Sequence, residues 1–178
     1  MSSASPQNIY LQPIGYVDLD LIQWLQEQLA IYFNGEIKVA PELPLPKLFY
    51  NERRNQYFAP PLLYHIKQNL KPDVYRMLGL VDKDIYTRGL NFIFGLAEHK
   101  GKICVISLTR LRESFYGKKE NNKLFHERVL KEALHELGHT FGFTHCDNPS
   151  CVMHFSNSLQ DTDKKQPIYC EKHNLNTS

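Results

Sequence analysis

The sequence predicts an α/β fold, with a twisted, mostly parallel sheet, one antiparallel strand and helices packed against the sheet. In the first half of the chain, apolar segments of strand length alternate with segments that carry apolar residues at helical spacing. Two later apolar segments flank a short polar turn, which is typical of a hairpin and supplies the antiparallel strand. The 178 residues, 42% of them hydrophobic, suit one core. We therefore expect a single domain over residues 1–178.

The first half is predicted to contain four elements, in chain order a strand over 9–14, a helix over 21–32, a strand over 36–40 and a helix over 62–70. Asp18 or Asp20 could cap the first helix, because a short polar side chain accepts hydrogen bonds from the free N–H groups of a helix start. Pro60 and Pro61 fit the first turn of the second helix, where a missing N–H costs no hydrogen bond. This alternation of strand and helix favours parallel strands.

The second half is predicted to contain strands over 74–81, 91–97 and 103–108 and a long helix over about 124–141. The turn His99–Lys102 joins the last two strands, so these form the hairpin. Cys104 lies inside an apolar strand and is interpreted as a small buried hydrophobe. The long helix carries an apolar stripe, which predicts that one of its faces packs on the core.

Charge and hydropathy exclude several functional classes. The formal net charge is +2 and we find no basic stripe, so a nucleic-acid partner is not expected. No apolar run is long enough to cross a membrane, and residues 1–15 lack the basic and apolar regions of a signal peptide. We therefore expect a cytoplasmic monomer, in which the four cysteines stay reduced.

The long helix contains the string His-Glu-Leu-Gly-His, from His135 to His139. Histidines four positions apart lie on one helix face, so both imidazoles can reach one metal ion. Glu136 points slightly aside, where its carboxylate can reach a water molecule without ligating the metal. Such a string can also occur on an ordinary surface helix, so the residues that follow it decide its interpretation.

A third histidine follows at a spacing that completes a metal site. Gly142 lies where the helix must end, and glycine adopts the left-handed conformation there at little cost. The turn would bring His145 back to the ion that His135 and His139 bind. Three neutral imidazoles leave the fourth position of a zinc ion open, as a catalytic site requires. The complete string, His-Glu-x-x-His-x-x-Gly-x-x-His, is the signature of the metzincins.

The predicted chemistry is hydrolysis of a peptide bond in a peptide or small protein. Zinc lowers the pKa of a bound water towards about 7 and polarises the scissile carbonyl. Glu136 is expected to take the proton as general base and to deliver it to the leaving amine. The alternative is a zinc-binding regulatory or interaction protein that hydrolyses nothing. Glu136 favours the enzyme, because a binding module has no need of a base at that position.

Three cysteines and a histidine form a second cluster. Cys146 follows the third histidine directly, Cys151 comes five positions later, and Cys170 and His173 lie near the C-terminus. Three thiolates and an imidazole are the ligand set of a closed structural zinc site. A Cys146–Cys151 disulfide and plain free thiols are the alternatives, and a reducing compartment disfavours the disulfide. Two zinc ions per chain, one catalytic and one structural, are therefore expected.

The run from His135 to Met153, followed by Cys170, resembles the archaemetzincins, a small family of metzincins. Their pattern adds a cysteine directly after the third histidine, a second cysteine, a methionine and a later Cys-x-x-Cys. The stretches 90–95 and 106–111 are also similar to the sheet region of the family. The likeness covers most of the chain and is densest from about residue 84 to 173.

The resemblance implies a metzincin-like fold, with an upper part over about 8–142, a smaller zinc-containing lower part over about 143–178, and a cleft between them. It also implies that Met153 is the Met-turn methionine, an apolar floor beneath the three histidines that binds no metal. The antiparallel edge strand, here Phe92–Ala97, would pair with an extended substrate.

Two positions depart from known patterns. The last cysteine of the archaemetzincin pattern is His173 here, which can ligate zinc but brings one thiolate charge fewer. Some metzincins carry a tyrosine two residues after the Met-turn methionine, where it assists the transition state, and Phe155 stands at that position. Tyr169 and Tyr116 are conceivable replacements. His65, His99 and His126 are interpreted as surface or packing residues, and Arg110 and Arg112 as solvated.

Overall fold

The computed structural model describes residues 7–175, and this part contains eight strands and four α-helices. In chain order they are β1 (Asn8–Pro13), α1 (Leu19–Leu29), β2 (Ile37–Val39), β3 (Tyr50–Asn51), β4 (Gln56–Phe58), α2 (Ala59–Lys67), β5 (Val74–Val81), β6 (Ile85–Tyr86), β7 (Gly95–Ala97), β8 (Ile103–Ser107), α3 (Asn122–Thr140) and α4 (Leu159–Lys164). The prediction that residues 1–15 form no signal peptide lies partly outside the described residues. None of the helices within 7–175 has the length and apolar character that crossing a bilayer requires.

Five strands form the main sheet, in the order β2-β1-β5-β8-β7. β1 pairs in parallel with β2 and β5, and β5 pairs in parallel with β8. β7 runs antiparallel to β8, with Gly95 opposite Ile106 and Ala97 opposite Cys104. The predicted α/β fold with one antiparallel strand is therefore confirmed. β7 ends the sheet, so one of its edges is free of strand pairing within the main sheet.

Alternate residues of the central strands face two separate apolar cores. Leu78 and Leu80 belong, with Cys104, to the core that also contains apolar residues of α1 and α3. Met77 and Val105 belong to the core beneath α2. All five side chains are fully buried, as expected for a mostly parallel sheet with helices on both faces. The interpretation of Cys104 as a small buried hydrophobe is confirmed.

The helices begin where local signals place them. The side chain of Asp18 accepts a hydrogen bond from the N–H of Asp20 at 2.9 Å and caps α1. Pro60 and Pro61 lie in the first turn of α2. His126 of α3 stacks on Trp24 of α1 with ring centroids 4.5 Å apart, which confirms a packing role for this histidine.

The prediction missed a second sheet. β3 pairs antiparallel with β4, which pairs in parallel with β6. These strands have two or three residues each, too few for an alternating pattern to be recognised. The strand predicted over 91–97 is also shorter than expected, because Ile93 forms a bridge with Ile85 near this sheet and only Gly95–Ala97 pairs with β8.

The prediction also missed α4. Ser158 and Asp161 form a capping box, in which each side chain accepts a hydrogen bond from the backbone N–H of the other residue. The Ser-x-x-Asp spacing was the available signal. This spacing by itself does not predict a helix, because the helix has six residues, only Thr162 within it is buried, and the sequence therefore shows no apolar stripe.

Candidate metal centres and active-site cleft

α3 carries two of the predicted metal ligands and the predicted base. Its first turn is capped by Asn121, whose side chain accepts a hydrogen bond from the N–H of Leu124 at 3.1 Å. Every residue from Arg128 to Gly138 is buried, although one side of this stretch lines a cavity. The positions of His135 and Glu136 are therefore fixed by the surrounding core.

The end of α3 reverses the chain as predicted. Gly142 has a φ of 93°, in the left-handed region that favours glycine. Its N–H donates to the carbonyl of His139 at 3.0 Å, and the N–H of Phe143 donates to the carbonyl of Gly138 at 3.0 Å. This pair of bonds is the Schellman motif that closes many helices. The reversal returns His145 to the face of α3 that carries the other two histidines.

The three histidines converge on one point. Their candidate ligand atoms all lie within 4.8 Å of one another. The Nδ1 of His135 lies 2.8 Å from the carbonyl of Val152, and the Nδ1 of His139 lies 2.8 Å from the carbonyl of Phe143. A carbonyl oxygen only accepts hydrogen bonds, so each Nδ1 carries the proton. Each Nε2 of this pair is left with a lone pair for a metal ion.

The arrangement suits a cation. The two Nε2 atoms of His135 and His139 lie 3.1 Å apart. Two lone pairs facing each other at this distance repel, unless a cation lies between them. Two ligands of a tetrahedral zinc ion stand about 3.3 Å apart, close to the observed spacing. Burial lowers the pKa of His135 to about 3 and also lowers the pKa of His139 and His145, so the neutral imidazoles that zinc requires are favoured.

Glu136 lies in a slot against the edge strand. A Cβ atom added to Gly95 of β7 would lie 2.6 Å from Oε1 and 2.7 Å from Cδ of Glu136. Only glycine therefore leaves room for the carboxylate at this point of β7. Burial raises the pKa of Glu136 well above its ordinary value, and the negative charge of Glu132 adds to that effect. A dication at the histidines would favour the carboxylate form.

A cavity of about 600 Å³ opens in front of these residues. One wall is β7 with the segment before it, a second is α3, and a third is the segment after Met153. The lining side chains outside the histidine cluster and Glu136 include Phe92, Phe94, His99, Glu132, Thr144, Phe155 and Asn157. His99, which was interpreted as a surface or packing residue, is exposed and also lines this cleft. Phe155, where some metzincins carry tyrosine, lies with its ring centroid 4.8 Å from that of His145.

Glu132 is the acidic residue of the cleft that the sequence analysis missed. It lies one helical turn before Glu136, so it shares the cleft-facing side of α3. Its Oε1 accepts hydrogen bonds from Nζ of Lys165 at 3.1 Å and from the hydroxyl of Thr162 at 3.2 Å. Lys165 is 0% exposed, so its charge is neutralised within the protein by Glu132.

The second predicted cluster also comes together. Sγ of Cys146 lies 3.7 Å from Sγ of Cys170, and Nδ1 of His173 lies 3.6 Å from Sγ of Cys151 and 3.4 Å from Sγ of Cys170. Ligands of a tetrahedral zinc ion with two sulfur atoms stand about 3.8 Å apart, so the geometry suits zinc. The four cysteines are free thiols, and the disulfide alternative, which needs about 2 Å between sulfur atoms, is absent from this structure.

Backbone hydrogen bonds support the sulfur atoms. The N–H groups of Met153 and Cys170 both point at Sγ of Cys151, each at 3.4 Å. Such N–H donors stabilise a thiolate at a metal site. The N–H of Cys146 donates to the carbonyl of Met153 at 3.0 Å. The same short segments therefore carry ligands of both clusters, because His145 directly precedes Cys146 and the carbonyl of Val152 holds His135.

Met153 and Tyr169 pack against the active-site helix. Met153 is fully buried, and a side chain at Gly138 of α3 would collide with its sulfur. This places the methionine beneath the turn between His135 and His139. The hydroxyl of Tyr169 donates to the carbonyl of Leu134 at 2.5 Å, so it is engaged on the buried side of α3. Tyr169 does not line the cleft, and neither does Tyr116.

Other polar residues have structural partners. Arg110 binds Asp84 through two hydrogen bonds of 2.7 Å and lies over the ring of Phe92 at 4.2 Å, so its interpretation as a solvated residue is wrong. Arg112 likewise pairs with Asp82 at 2.7 Å. The contact of Arg110 packs Phe92, part of the aromatic wall of the cleft, against a fixed ion pair.

Known proteins match this chain in sequence and in fold. The sequence model of peptidase family M54 matches residues 29–176. The chain belongs to peptidase family M54. Among relatives, an archaemetzincin of Pyrococcus abyssi is 47% identical over 92% of this chain and 90% of its own length. That of Methanocaldococcus jannaschii is 40% identical over 92% and 89%.

Solved structures of the family agree with the fold. A crystal structure of archaemetzincin from Archaeoglobus fulgidus, complexed with malonate, superposes with a TM-score of 0.81 at 39% identity, covering 93% of this chain and 97% of that chain. Archaemetzincin from Methanopyrus kandleri gives 0.81 at 37% identity, covering 94% and 91%. The predicted resemblance to the archaemetzincins is confirmed, and with it the assignment of this M54 member as a zinc metallopeptidase whose substrates are peptides.

Proposed function

We propose that this M54 peptidase cleaves peptide bonds with a zinc ion held by His135, His139 and His145 and with Glu136 as general base. The observation that carries the proposal is the convergence of three imidazoles, two with lone pairs 3.1 Å apart, beside a buried carboxylate that faces the same cleft. No serine, cysteine or threonine nucleophile is required, because a water molecule attacks directly.

The zinc ion, when bound, polarises the scissile carbonyl and lowers the pKa of a nearby water towards about 7. The protein contributes the proton path. Glu136, held in its slot beside Gly95, accepts a proton from the attacking water and delivers it to the leaving amine. The hydrogen bonds from Nδ1 of His135 and His139 keep both imidazoles in the tautomer that binds metal.

The substrate is proposed to bind along β7. The outer edge of this strand has no partner in the main sheet, and β7 lines the cleft beside Glu136. An extended peptide could add to this edge through main-chain hydrogen bonds, which bind without regard to sequence. Within the cleft, side chains such as Phe92, Phe94 and Glu132 would then select among substrates.

The second zinc ion is proposed to be structural, held by Cys146, Cys151, Cys170 and His173. Four protein ligands fill a tetrahedral zinc ion and leave no open position. Cys146, Cys151 and His173 are buried, in contrast to the open cleft in front of the first cluster. A reducing compartment such as the cytoplasm would keep the three thiols available for zinc.

The whole chain is proposed to act as one domain and as a monomer. Met153 and Tyr169 pack on α3, and Asp163 pairs with Arg128 of α3 at 2.7 Å, so the segment after Gly142 is tied to the helix that carries the base. These contacts between the two parts support a single domain, with an upper part over about 8–142 and a lower part over about 143–178.

The test is cleavage of a mixed peptide library by the wild-type protein and by Glu136→Ala, each at measured zinc content. We expect the wild-type protein to cut and the variant to keep both zinc ions while losing at least about a thousandfold in rate. If the two proteins cut equally, Glu136 is not the base. If neither cuts while both hold two zinc ions, the alternative of a silent zinc-binding protein replaces the proposal.

A further inference from the structure

Glu132 has a position that the proposed reaction does not explain. It lies three residues before His135 and four before Glu136, on the side of α3 that lines the cleft. A peptide whose scissile bond lies at the histidines would place a neighbouring residue, or its own terminus, beside this carboxylate. Glu132 is 3% exposed, so whatever meets it must enter the cleft to do so.

The two oxygen atoms of this carboxylate have different environments. Oε1 accepts both hydrogen bonds, from Lys165 and from Thr162. Oε2 has no hydrogen-bond partner among the described residues, although the residue lines the cavity. Oε2 is not among the buried polar atoms that lack a partner, so it is accessible from the cavity, where a donor that enters the cleft can bind it.

Lys165 and Thr162 hold this carboxylate in place. Lys165 lies in the chain just after α4, is fully buried and does not line the cleft, so it fixes Glu132 from behind. The hydroxyl of Thr162 adds a second fixed contact from α4. A side chain held by two partners loses little freedom on binding a ligand, which increases the contribution of each new hydrogen bond.

The charges around the cleft determine which donor fits best. Among the described residues that line it, Glu132 and Glu136 carry carboxylates and none is a lysine or an arginine. A substrate cation would therefore share the carboxylate with Lys165, one cation on each oxygen. Arg128 shows the converse arrangement in this protein, since its guanidinium pairs with both Glu113 and Asp163. An acidic substrate group placed at Oε2 would meet this carboxylate at short range and be disfavoured there.

We infer that Glu132 is a specificity-determining residue that binds a cationic nitrogen of the substrate, supplied by a lysine or arginine side chain or by a free amino terminus. The inference rests on the proposed function, because it assumes that a peptide enters this cleft. It adds the chemistry of a substrate group that the zinc site by itself does not select.

The test measures binding and cleavage of matched peptides. Acetylated and amidated peptides carry lysine, norleucine or glutamate at one position, which is moved along the peptide, and a second set has free amino termini. Binding is measured by calorimetry on zinc-loaded Glu136→Ala, and cleavage on the wild-type protein. Norleucine matches the length of the lysine chain without its charge, so the ratio of the two affinities reports the cation alone.

The key variant is Glu132→Gln with Lys165→Met. Glu132→Gln by itself would leave a buried ammonium without its partner, which is strongly destabilising, whereas the double change removes both charges. Glu127→Gln is the matched control, because it makes the same chemical change on an exposed part of the same helix, away from the cleft. Folding of each variant is checked by its zinc content and its thermal unfolding.

We expect a preference for the cationic peptide of about tenfold, the scale of one hydrogen bond to a charged group. It should fall below about twofold in the double variant and persist in Glu127→Gln. A preference for lysine in acetylated peptides identifies a side chain as the source, and a preference for the free over the acetylated terminus identifies the amino terminus.

The inference is overturned if Glu136→Ala binds no peptide, if neither source of cation is preferred, or if the preference survives in the double variant. Its failure is separable from failure of the proposed function. Cleavage without a preference overturns the role of Glu132 alone. Binding with the preference but without cleavage overturns the proposed hydrolysis and leaves the role of Glu132 standing.

Discussion

The two clusters of metal-binding side chains are built from different kinds of structure. His135 and His139 lie on a helix whose stretch from Arg128 to Gly138 is buried, and hydrogen bonds from their Nδ1 atoms fix both rings. Cys151, Cys170 and His173 lie in turns and loops, outside any helix or strand. The helix can therefore hold two of the histidines in place without metal, whereas the thiols are held by loop hydrogen bonds, such as that from the N–H of Cys146 to the carbonyl of Met153, and by any metal ion that neutralises them.

Charge and exposure separate the clusters in the same direction. Three imidazoles are neutral ligands, and burial lowers the pKa of all three towards that state. Three thiolates close together repel one another unless a cation neutralises them. His145 is exposed beside the cleft, whereas Cys146, Cys151 and His173 are buried. These differences are the ones expected if, as proposed, the first cluster serves the chemistry and the second holds the chain together.

The largest effect is expected from Cys151→Ser. Cys151 contacts His173 and accepts N–H groups of Met153 and Cys170, so its loss should release the second zinc ion and the segments that carry it. Because binding of a structural zinc ion is coupled to folding, we expect a loss of at least about 3 kcal/mol in the free energy of unfolding. The measurement is urea unfolding at known zinc content.

Cys104→Ala is the control for this change. It removes a buried thiol outside both clusters and should cost about 1 kcal/mol while leaving two zinc ions bound. If Cys151→Ser were as stable as Cys104→Ala, the second cluster would not hold the fold, and the contrast between the clusters would be wrong.

The next effect falls on activity. His139→Ala removes a ligand of the first cluster from a helix that stays packed, so stability should change by about 1 kcal/mol while the rate of peptide cleavage falls by at least about a thousandfold. One zinc ion should remain, bound to the second cluster. Zinc analysis, unfolding and peptide cleavage on the same sample check all three points, and a variant that unfolds like Cys151→Ser would remove the distinction.

Some elements of the fold could be predicted from the sequence and others could not. The strand over Val74–Val81, the α3 helix and the grouping of the side chains in both clusters were predictable, because hydrophobic periodicity and ligand spacing are encoded locally. The small sheet and α4 were missed, because these elements are too short to show a periodic apolar pattern.

Long-range contacts around the cleft were missed because the spacing of residues in the sequence carries no information about them. Lys165 and Glu132 are 33 positions apart in sequence, and neither belongs to a motif. Gly95 resembles any strand glycine until Glu136, from an element far along the chain, is seen against it. The sequence places Phe155 two residues after Met153, but only the structure shows its ring beside His145. Spacing predicts which residues share an ion, and the fold determines what surrounds them.

A moderate effect is expected from Gly95→Ala. The new Cβ would lie 2.6 Å from Oε1 of Glu136, so the carboxylate must move by a few tenths of an ångström or more. Displacement of a general base by about 1 Å costs roughly a hundredfold in rate. We expect kcat to fall by up to about that factor, with both zinc ions retained. Initial rates of peptide cleavage, measured over a range of substrate concentrations, separate kcat from KM.

Gly117→Ala provides the matched control. Gly117 has a φ of 71° and no atom within 4 Å of an added Cβ, so alanine there strains the backbone at a cost of about 1 kcal/mol without touching the cleft. If both variants lost the same activity, the fall in kcat would result from destabilisation and not from displacement of Glu136 in its slot.

The smallest effect is expected from His173→Cys, which restores the fourth cysteine of the archaemetzincin pattern. With a fourth thiolate, loss of the second zinc ion to a chelator should become slower by no more than about tenfold, because zinc prefers a thiolate ligand only modestly over an imidazole ligand. Part of this gain is offset, since the ring of His173 packs on Phe143 with centroids 5.1 Å apart. Peptide cleavage should be unchanged, because the first cluster keeps all its ligands.

His173→Ala supplies the opposite case: it should release the second zinc ion faster than the wild-type protein does. If zinc were lost at equal rates from the alanine variant and the wild-type protein, His173 would not be a ligand, and the second cluster would be a three-cysteine site with a fourth position open to solvent.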